Sequence, residues 1–314
     1  MPKVSVVVVV YNSRKFLQLV FEAIANQTVS DLEIFAVINS STDGSKEFIQ
    51  QTFPNVKIID PGMNTGFAGG NNLAMKQASG EFIQLVNPDL IMSPNYIEKL
   101  LPAFSDLKVA AATGKLLRYD FATNTKTTII DSTGIVMSDS GRARDRGQLE
   151  QDNGQYDSNT TVFAVTGAAP MYRKSALESI AFKGEYFDEA FLAYWEDVDL
   201  SWRLNNAGLK NVFVPQAVAY HGRTAGQAKG GYFHLLNFIS HHRKIPTHIR
   251  RLNYKNHILM YLKNTPAISL KFILREIVMF GYVLIFEPST LGVLPELFRQ
   301  MKENRAKREF QKLN

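Results

Sequence analysis

The chain has 314 residues, of which 45% are hydrophobic and 20% are charged. This length and balance suit one large globular domain, or a large domain with a smaller appendage, and exclude a disordered, collagen-like or disulfide-stapled protein. Because the sequence contains no cysteine, it has no thiolate metal site, iron–sulfur cluster or cysteine nucleophile. Any metal must therefore bind oxygen or nitrogen.

Positive charge is concentrated in the last third of the chain. Residues 1–222 contain 19 Lys and Arg against 24 Asp and Glu, whereas residues 223–314 contain 16 against 5, a balance of +11. Such a block can face nucleic acid, an anionic bilayer or water. The longest uncharged, strongly apolar run, residues 277–286, has ten residues, about half of what a spanning helix needs. No transmembrane helix is predicted.

Segments with strand and helix patterns alternate through the first third. The predicted strands cover residues 4–10, 34–38, 56–59 and 81–86, and the predicted helices cover residues 14–26, 45–53 and 71–78. This order predicts a parallel sheet flanked by helices. Ligands of such sheets bind at the carboxyl ends of the strands, and here each of those ends is followed by a polar loop.

Later segments have different patterns. Residues 119–161 are rich in polar residues and glycine, which is typical of a functional cover or a disordered excursion. Short strands are predicted at 212–214 and 217–220, and a helical, basic pattern begins near residue 226. We therefore predict two regions, 1–225 and 226–314.

Five motifs occur in a recognisable order. They are Tyr11-Asn12 after the first strand, the loop from Asn39 to Ser45, the glycine-rich stretch from Asn64 to Asn71, Asn87-Pro88-Asp89, and Trp195-Glu196-Asp197-Val198-Asp199-Leu200 with Arg203 and His221 after it. Together, over about residues 3–225, they resemble family 2 glycosyltransferases, most closely the rhamnosyltransferase branch. The resemblance implies an α/β fold of the GT-A type, a Rossmann-like, mostly parallel sheet flanked by helices, followed here by a C-terminal basic helical appendage.

The resemblance assigns a metal site to Asp89 and His221. In the family, a strand-end carboxylate of an Asp-x-Asp-like motif holds Mg²⁺ or Mn²⁺ against the diphosphate of the donor, and a late histidine completes the site. Hard dications prefer oxygen ligands, and a neutral imidazole is also a competent ligand. Asn87 replaces the first carboxylate of the motif, which predicts weaker metal binding. The alternatives are a simple turn at 87–89 and a structural histidine.

The acidic pair Glu196-Asp197 matches the family's catalytic carboxylates. The resemblance makes Asp197 the general base that takes the proton of the acceptor hydroxyl in an inverting transfer, with Glu196 as the second candidate. If the segment is helical, Asp199 and Arg203 are spaced i,i+4 and can simply pair, and Glu196 can complement the helix dipole.

Further residues are expected to bind the nucleotide sugar. The amide of Asn39 has a donor and an acceptor that complement the edge of uracil or thymine. Asp43 is a neighbouring candidate, although Thr42-Asp43-Gly44 can instead turn the chain and cap the next helix. The glycines after Asn64 allow the backbone to approach the donor, or they only permit helix entry. The full expected set is Tyr11, Asn39, Asp43, Asn64, Gly66, Asn71, Asn87, Asp89 and Arg203.

The family resemblance thus predicts an inverting, metal-dependent transferase that uses dTDP-rhamnose and a glycan or polyprenyl-linked acceptor in bacterial surface polysaccharide synthesis. A UDP-sugar donor (galactose, galactofuranose or N-acetylhexosamine) is the alternative, and an inactive nucleotide-binding scaffold is a third. The glycine-rich loop lacks the Gly-x-Gly-x-x-Gly spacing of a nicotinamide-dependent enzyme. The basic tail predicts peripheral contact with an anionic membrane at the inner face of the cell membrane, or packing on the catalytic domain or on a second subunit. Nucleic acid is not an expected partner.

Overall fold

A mixed sheet with helices on both faces occupies the first two thirds of the protein. The computed structural model describes residues 3–223, 242 and 244–313. The strands are β1 (Val4–Val10), β2 (Leu32–Ile38), β3 (Lys57–Ile59), β4 (Phe82–Leu85), β5 (Leu90–Met92), β6 (Val109–Asp120), β7 (Thr125–Ser132), β8 (Ile135–Met137), β9 (Ala143–Asp145), β10 (Thr161–Val162), β11 (Pro170–Arg173) and β12 (Lys210–His221). The α-helices are α1 (Arg14–Ala25), α2 (Ser45–Thr52), α3 (Gly66–Met75), α4 (Tyr96–Leu100), α5 (Lys174–Ile180), α6 (Glu196–Asn206), α7 (Thr247–Asn264), α8 (Leu270–Phe286) and α9 (Leu294–Leu313).

The first half of the sheet has the predicted parallel alternation. β1 pairs in parallel with β2 and β4, and β2 pairs in parallel with β3. The continuous valine run of β1 is buried on both faces, as expected for a central parallel strand: Val4, Val6, Val8 and Val10 pack on the α1 side, and Val7 packs on the α3 side. One prediction was wrong here: α3 begins at Gly66 rather than at residue 71, so the glycine-rich stretch is mostly helix.

The second half of the sheet is mixed. β11 inserts antiparallel between β4 and β6, and β12 runs parallel to β6. The prediction of a cover or a disordered excursion over 119–161 was largely wrong, because β7 extends the sheet beside β6 and β8 pairs with β9. The two short strands predicted near residue 215 form one strand, β12, with a shift in register between Val214 and Val218.

The C-terminal helices pack against the sheet region. Leu259 and Met260 of α7 and Leu297 of α9 share a buried cluster with Phe191 and Val198. The predicted boundary at 225/226 lies outside the described residues. In the described part of the chain, no single helix is long and apolar enough to cross a bilayer. Helix α8 and the segment Pro288–Gln311 together have the length and composition of a bilayer span, but they are bent by 114° relative to each other.

Candidate active site

Polar loops from three strand ends meet at the carboxyl edge of the sheet. Tyr11 follows β1 and is 54% exposed. The next residue, Asn12, joins this loop to the one after β2, because its Oδ1 accepts a hydrogen bond from the Thr42 N–H at 2.9 Å and its N–H donates to Ser41 Oγ at 3.1 Å. Asn12 and Ser40 adopt positive φ values of 46° and 62°, a backbone state that clusters at functional sites.

Asn39 holds the turn of residues 64–66 in place. Its Nδ2 donates to Asn64 Oδ1 at 3.1 Å and to the Gly66 carbonyl at 2.9 Å, and its Oδ1 accepts from the Thr65 N–H at 2.7 Å. The side chain is 3% exposed. Its amide, which was predicted to contact the base, is therefore occupied by the 64–66 turn. Asn64 completes the turn by accepting from the Gly66 N–H at 2.9 Å.

Gly66 is required at the start of α3. Its φ is +71°, and a Cβ built there would lie 2.4 Å from the carbonyl oxygen of Leu192. The Ala68 N–H donates to that same carbonyl at 3.1 Å. The segment of residues 66–68 and the segment before α6 therefore touch backbone to backbone, which no larger residue at position 66 would allow.

Three other expected ligands have internal partners. Asp43 accepts from the Arg14 N–H at 2.8 Å and from Ser45 Oγ at 2.6 Å, which supports the turn-and-cap alternative. Asn71, 1% exposed, donates to the Phe67 carbonyl at 2.9 Å. Arg203 is buried, pairs with Asp199 at 3.0 Å and donates to the carbonyls of residues 180 and 186. The structure thus does not bring Arg203 to the strand-end loops.

Asp89 and His221 are in contact although they are far apart in sequence. Asp89 lies in the turn between β4 and β5, and His221 ends β12, which pairs antiparallel with β5. His221 Nε2 is 3.2 Å from Asp89 Oδ1, and the Gly222 N–H donates to the Asp89 carbonyl at 2.9 Å. Asn87 begins this turn and accepts a backbone hydrogen bond from Leu90 at 3.1 Å.

The other ring nitrogen of His221 is held by Asp131, a residue that the sequence analysis missed. Nδ1 is 2.8 Å from Asp131 Oδ2, and Arg118 Nε is 2.8 Å from Asp131 Oδ1. Burial alone would lower the pKa of His221, but Asp131 and Asp89 raise it to about 9. Burial would also raise the pKa of Asp131, yet the hydrogen bond and positive charge of His221, with Arg223 and Arg118, hold it below its usual value.

The oxygen and nitrogen atoms of Asp89 and His221 are of the kinds that bind a divalent cation. A histidine ligand commonly donates its second ring N–H to a carboxylate, which fixes the ring, and its other nitrogen binds the metal once the proton on that nitrogen is lost. Asp131 provides that carboxylate, and the side chain of Asp89 remains 17% exposed. Among the described residues, no group of three or more His, Cys, Asp or Glu could hold a metal. Asp89 and His221 would therefore supply two ligands, and ligand or water oxygens the rest.

A cleft of about 400 Å³ opens beside Asp89. Its lining includes the cationic side chains of Lys15 and Arg118 and the aromatic rings of Tyr119 and Phe121. This volume lies within the range of small-molecule sites. The cleft therefore provides room and ring surfaces next to the candidate metal ligand, and its two cations are balanced by the carboxylates of Asp89 and Asp120.

Asp197 is connected to the same edge of the sheet through one side-chain and one backbone hydrogen bond. Its Oδ2 accepts from the Gly167 N–H at 2.8 Å, and the next residue, Ala168, accepts from the Asn87 N–H at 2.8 Å. Burial raises the pKa of Asp197, although the N–H groups of Gly167 and Val198 limit the rise. A carboxylate with a raised pKa is a better proton acceptor near neutral pH.

Glu196 is less suited to accept a proton. It is 7% exposed, and its Oε2 has no hydrogen-bond partner among the described residues. Burial and the neighbouring carboxylates of Asp197 and Asp199 raise its pKa well above the usual value. Glu196 therefore tends to hold a proton where Asp197 can accept one.

The backbone before this acidic pair is strained and is held by the C-terminal helices. Leu192, Tyr194 and Trp195 have φ values of 62°, 71° and 74°. Asn256 of α7 lies at the centre of this turn, fully buried, and its Nδ2 donates to the carbonyls of residues 191, 193 and 194 at 2.8, 2.9 and 3.0 Å. The sequence analysis missed Asn256, because nothing in its local pattern indicates a contact with residues about 60 positions earlier.

Comparison with known proteins identifies a family and relatives that this chain resembles. The family described as "Glycosyl transferase family 2" matches residues 5–181. The N-acetylglucosaminyl-diphospho-decaprenol L-rhamnosyltransferase of Mycobacterium tuberculosis is 27% identical over 255 residues, which cover 76% of this chain and 81% of that protein.

Two solved structures share the fold. Residues 1–349 of Staphylococcus aureus TarS in complex with UDP superpose with a TM-score of 0.55 at 18% identity, covering 99% of this chain and 90% of that one. GalNAc-T7 with UDP, GalNAc and Mn²⁺ gives a TM-score of 0.60 at 13% identity, covering 84% of this chain and 48% of that one. The predicted GT-A fold is confirmed by these likenesses.

Proposed function

Because the chain belongs to glycosyltransferase family 2, we propose that it is an inverting, metal-dependent enzyme that transfers a sugar from a nucleoside diphosphate to a hydroxyl of a glycan. One observation carries the proposal. Asp197 is connected through Gly167 and Ala168 to the turn that bears Asp89, and Asp89 contacts His221. A proton acceptor and a cation-binding pair therefore lie at one edge of the sheet.

Asp197 acts as the general base in this proposal. Its carboxylate takes the proton of the acceptor hydroxyl while that oxygen attacks the anomeric carbon of the donor. The new carbon–oxygen bond forms as the bond between the anomeric carbon and the phosphate oxygen breaks, and the nucleoside diphosphate leaves with the electron pair. Attack from the face opposite the leaving group inverts the configuration, so no covalent enzyme intermediate is needed.

Asp89 and His221 would hold Mg²⁺ or Mn²⁺ at the diphosphate. A dication there neutralises the charge that develops on the leaving group. The protein's own contribution is rigidity, because Asp131 fixes the His221 ring and the Asn39 amide fixes the 64–66 turn. Tyr11 is the exposed residue after β1. Its side chain and the backbone of the neighbouring loop then form the wall against which the nucleobase of the donor lies.

For the substrates we propose dTDP-rhamnose as donor and a polyprenyl-linked glycan as acceptor, in the synthesis of a bacterial surface polysaccharide. The name of the mycobacterial relative supports rhamnose as the transferred sugar and a polyprenyl-linked acceptor, whereas the dTDP carrier rests on the family resemblance. A UDP-sugar is the alternative donor, since TarS and GalNAc-T7 are known with UDP. With a lipid-linked acceptor the enzyme works at the inner face of the cell membrane.

A donor panel tests the proposal. Thermal unfolding is measured with dTDP, UDP, GDP and their sugar conjugates, with and without Mg²⁺ or Mn²⁺. A ligand at 100 times its dissociation constant stabilises the fold by about 2.7 kcal/mol, which is enough to rank donors. We expect the largest shift with dTDP-rhamnose plus metal, and loss of transfer in EDTA. Full transfer activity in EDTA would contradict the metal assignment, and no shift with any nucleotide would contradict the whole proposal.

A further inference from the structure

Helix α8 presents its apolar side to solvent. It contains large aliphatic and aromatic residues along its whole length, yet only Phe272 and Val283 are buried. The exposed ones are Leu270, Ile273, Leu274, Ile277, Val278, Phe280, Leu284 and Ile285, each between 43% and 70% exposed. We call this set the α8 face. Soluble proteins rarely leave so large an apolar patch uncovered.

The α8 face is continuous on one side of the helix. At about 100° per residue, these eight positions fall within roughly 160° of the helix circumference. Gly281 falls within this sector, and a Cβ built there would meet nothing within 4 Å. The opposite side carries the contacts to the protein, through Phe272, which stacks on Tyr261 with ring centroids 3.6 Å apart. The helix is thus anchored by one side and open on the other.

Positive charge predominates in the described C-terminal region that contains the face, where residues 244–313 hold 13 Lys and Arg against 5 Asp and Glu. Lys271, in the first turn of α8, has a side chain that is 70% exposed and pairs with the similarly exposed Asp139 at 2.7 Å. The following helix, α9, exposes Arg299, Lys302 and Arg305 against Glu303 and Glu309, and residues 223–314 as a whole carry a balance of +11. Two copies of this chain joined through α8 would bring these like charges together, whereas an anionic surface would neutralise them.

We propose that the α8 face inserts into the headgroup and upper acyl region of an anionic bilayer, with α8 lying parallel to the membrane plane. A helix of 17 residues is about 25 Å long, shorter than the roughly 30 Å of hydrocarbon that a spanning helix crosses. An apolar helix face in a region of net positive charge is typical of helices that lie in the interface. This inference deepens the proposed function, on which it rests, because a lipid-linked acceptor is presented at that surface.

Vesicle sedimentation of the full chain tests the inference. The double variant Ile277→Asp/Leu284→Asp places two charges in the middle of the face. Leu107→Asp is the matched control, since Leu107 is 79% exposed and lies outside α8. We expect wild type and the control to bind vesicles of phosphatidylcholine with 30% phosphatidylglycerol within twofold of each other. The double variant should bind at least tenfold more weakly. Vesicles of phosphatidylcholine alone should bind wild type several-fold more weakly than the anionic ones.

Other occupants of the face give other results. If a second copy covers it, wild type is dimeric by light scattering, the double variant is monomeric and vesicle binding is unchanged, which overturns the proposal. If another part of the chain covers it, the double variant loses thermal stability while vesicle binding by wild type is weak, which also overturns it.

Donor binding is measured in parallel by thermal shift. Loss of vesicle binding with an intact donor shift supports the inference, whereas an absent donor shift in wild type would refute the proposed function alone.

Discussion

Replacing Asp131 by Asn should weaken metal binding at a site that Asp131 does not itself enter. The buried carboxylate, 1% exposed, lies 2.8 Å from His221 Nδ1 and 2.8 Å from Arg118 Nε. The amide keeps the shape but removes the charge and turns either an N–H₂ group or a neutral oxygen toward His221. Loss of such an outer partner typically costs 10- to 100-fold in metal affinity, so we expect a fall of that size for Mn²⁺ in the presence of a nucleoside diphosphate.

The same change should also lower stability. Removing one partner of a buried ion pair costs about 3–5 kcal/mol, and here Arg118 and Arg223 lose the charge that they share. The matched control is Asp188→Asn, because Asp188 is also buried and pairs with two cations, Lys263 at 2.5 Å and Lys307 at 2.6 Å. We expect the control to lose similar stability without any change in Mn²⁺ affinity.

Mn²⁺ binding is measured by electron paramagnetic resonance on the full chain below the unfolding temperature, and stability by urea denaturation. If Asp131→Asn does not fold, Asp131→Glu keeps the charge and displaces it by one methylene, and it should weaken Mn²⁺ binding in the same direction. Unchanged Mn²⁺ affinity in a folded Asp131 variant would refute the idea that this carboxylate orients His221.

Three further predictions concern the base, the strained turn and the opposite end of the sheet. Asp197→Asn should lower kcat by about 10²–10⁴ with donor affinity unchanged. Because burial raises the pKa of Asp197, the loss of wild-type kcat on acidification should have its midpoint above 3.8, the ordinary pKa of an aspartate. A variant within tenfold of wild type in single turnover would place the general base elsewhere. Asn256→Leu removes the amide group that donates hydrogen bonds to three carbonyls before α6. It should lower kcat more than tenfold while the dissociation constant of the nucleotide stays within twofold. Equal losses of kcat and of nucleotide affinity would mean a general loss of folding. Burial alone would raise the pKa of Glu33, but hydrogen bonds from Lys57, Ser5 and Ser79 lower it from 4.5 to about 2. Its ionised form therefore contributes on the order of 3 kcal/mol to the free energy of unfolding above pH 4.5, and this contribution is lost as the pH falls toward 2. If the difference in unfolding free energy between wild type and Glu33→Gln is the same at pH 7 and pH 2.5, this prediction is wrong.

The sequence predicted best what depends on local pattern. A continuous β-branched run such as β1 has one stable environment, a strand buried on both faces, and its predicted bounds agree with the structure. The start of α3 was missed because glycines at 66, 69 and 70 are poor helix formers, and burial of this segment outweighs that preference. The polar stretch after β6 was misassigned because strands at the edge of a sheet tolerate the same residue types as loops.

Contacts between distant residues could not be predicted from local pattern. Motif order indicated Asp89 and His221, and the structure places them 3.2 Å apart. Asp131, which contacts His221, carries no motif, and its role depends on the β6–β7 pairing that brings it to β12. Asn39 shows the converse case: its chemistry suits a base edge, but the 64–66 turn satisfies its amide first.

The central claim is that this edge of the sheet transfers a sugar by direct displacement with a metal and a single base. Its most direct test is proton NMR of the product formed by the full chain from a nucleotide sugar of known anomeric configuration, with Mn²⁺ or Mg²⁺ present and with EDTA. We predict a glycoside of inverted configuration, formed only with the metal. A product of retained configuration, or equal yield in EDTA, would contradict it.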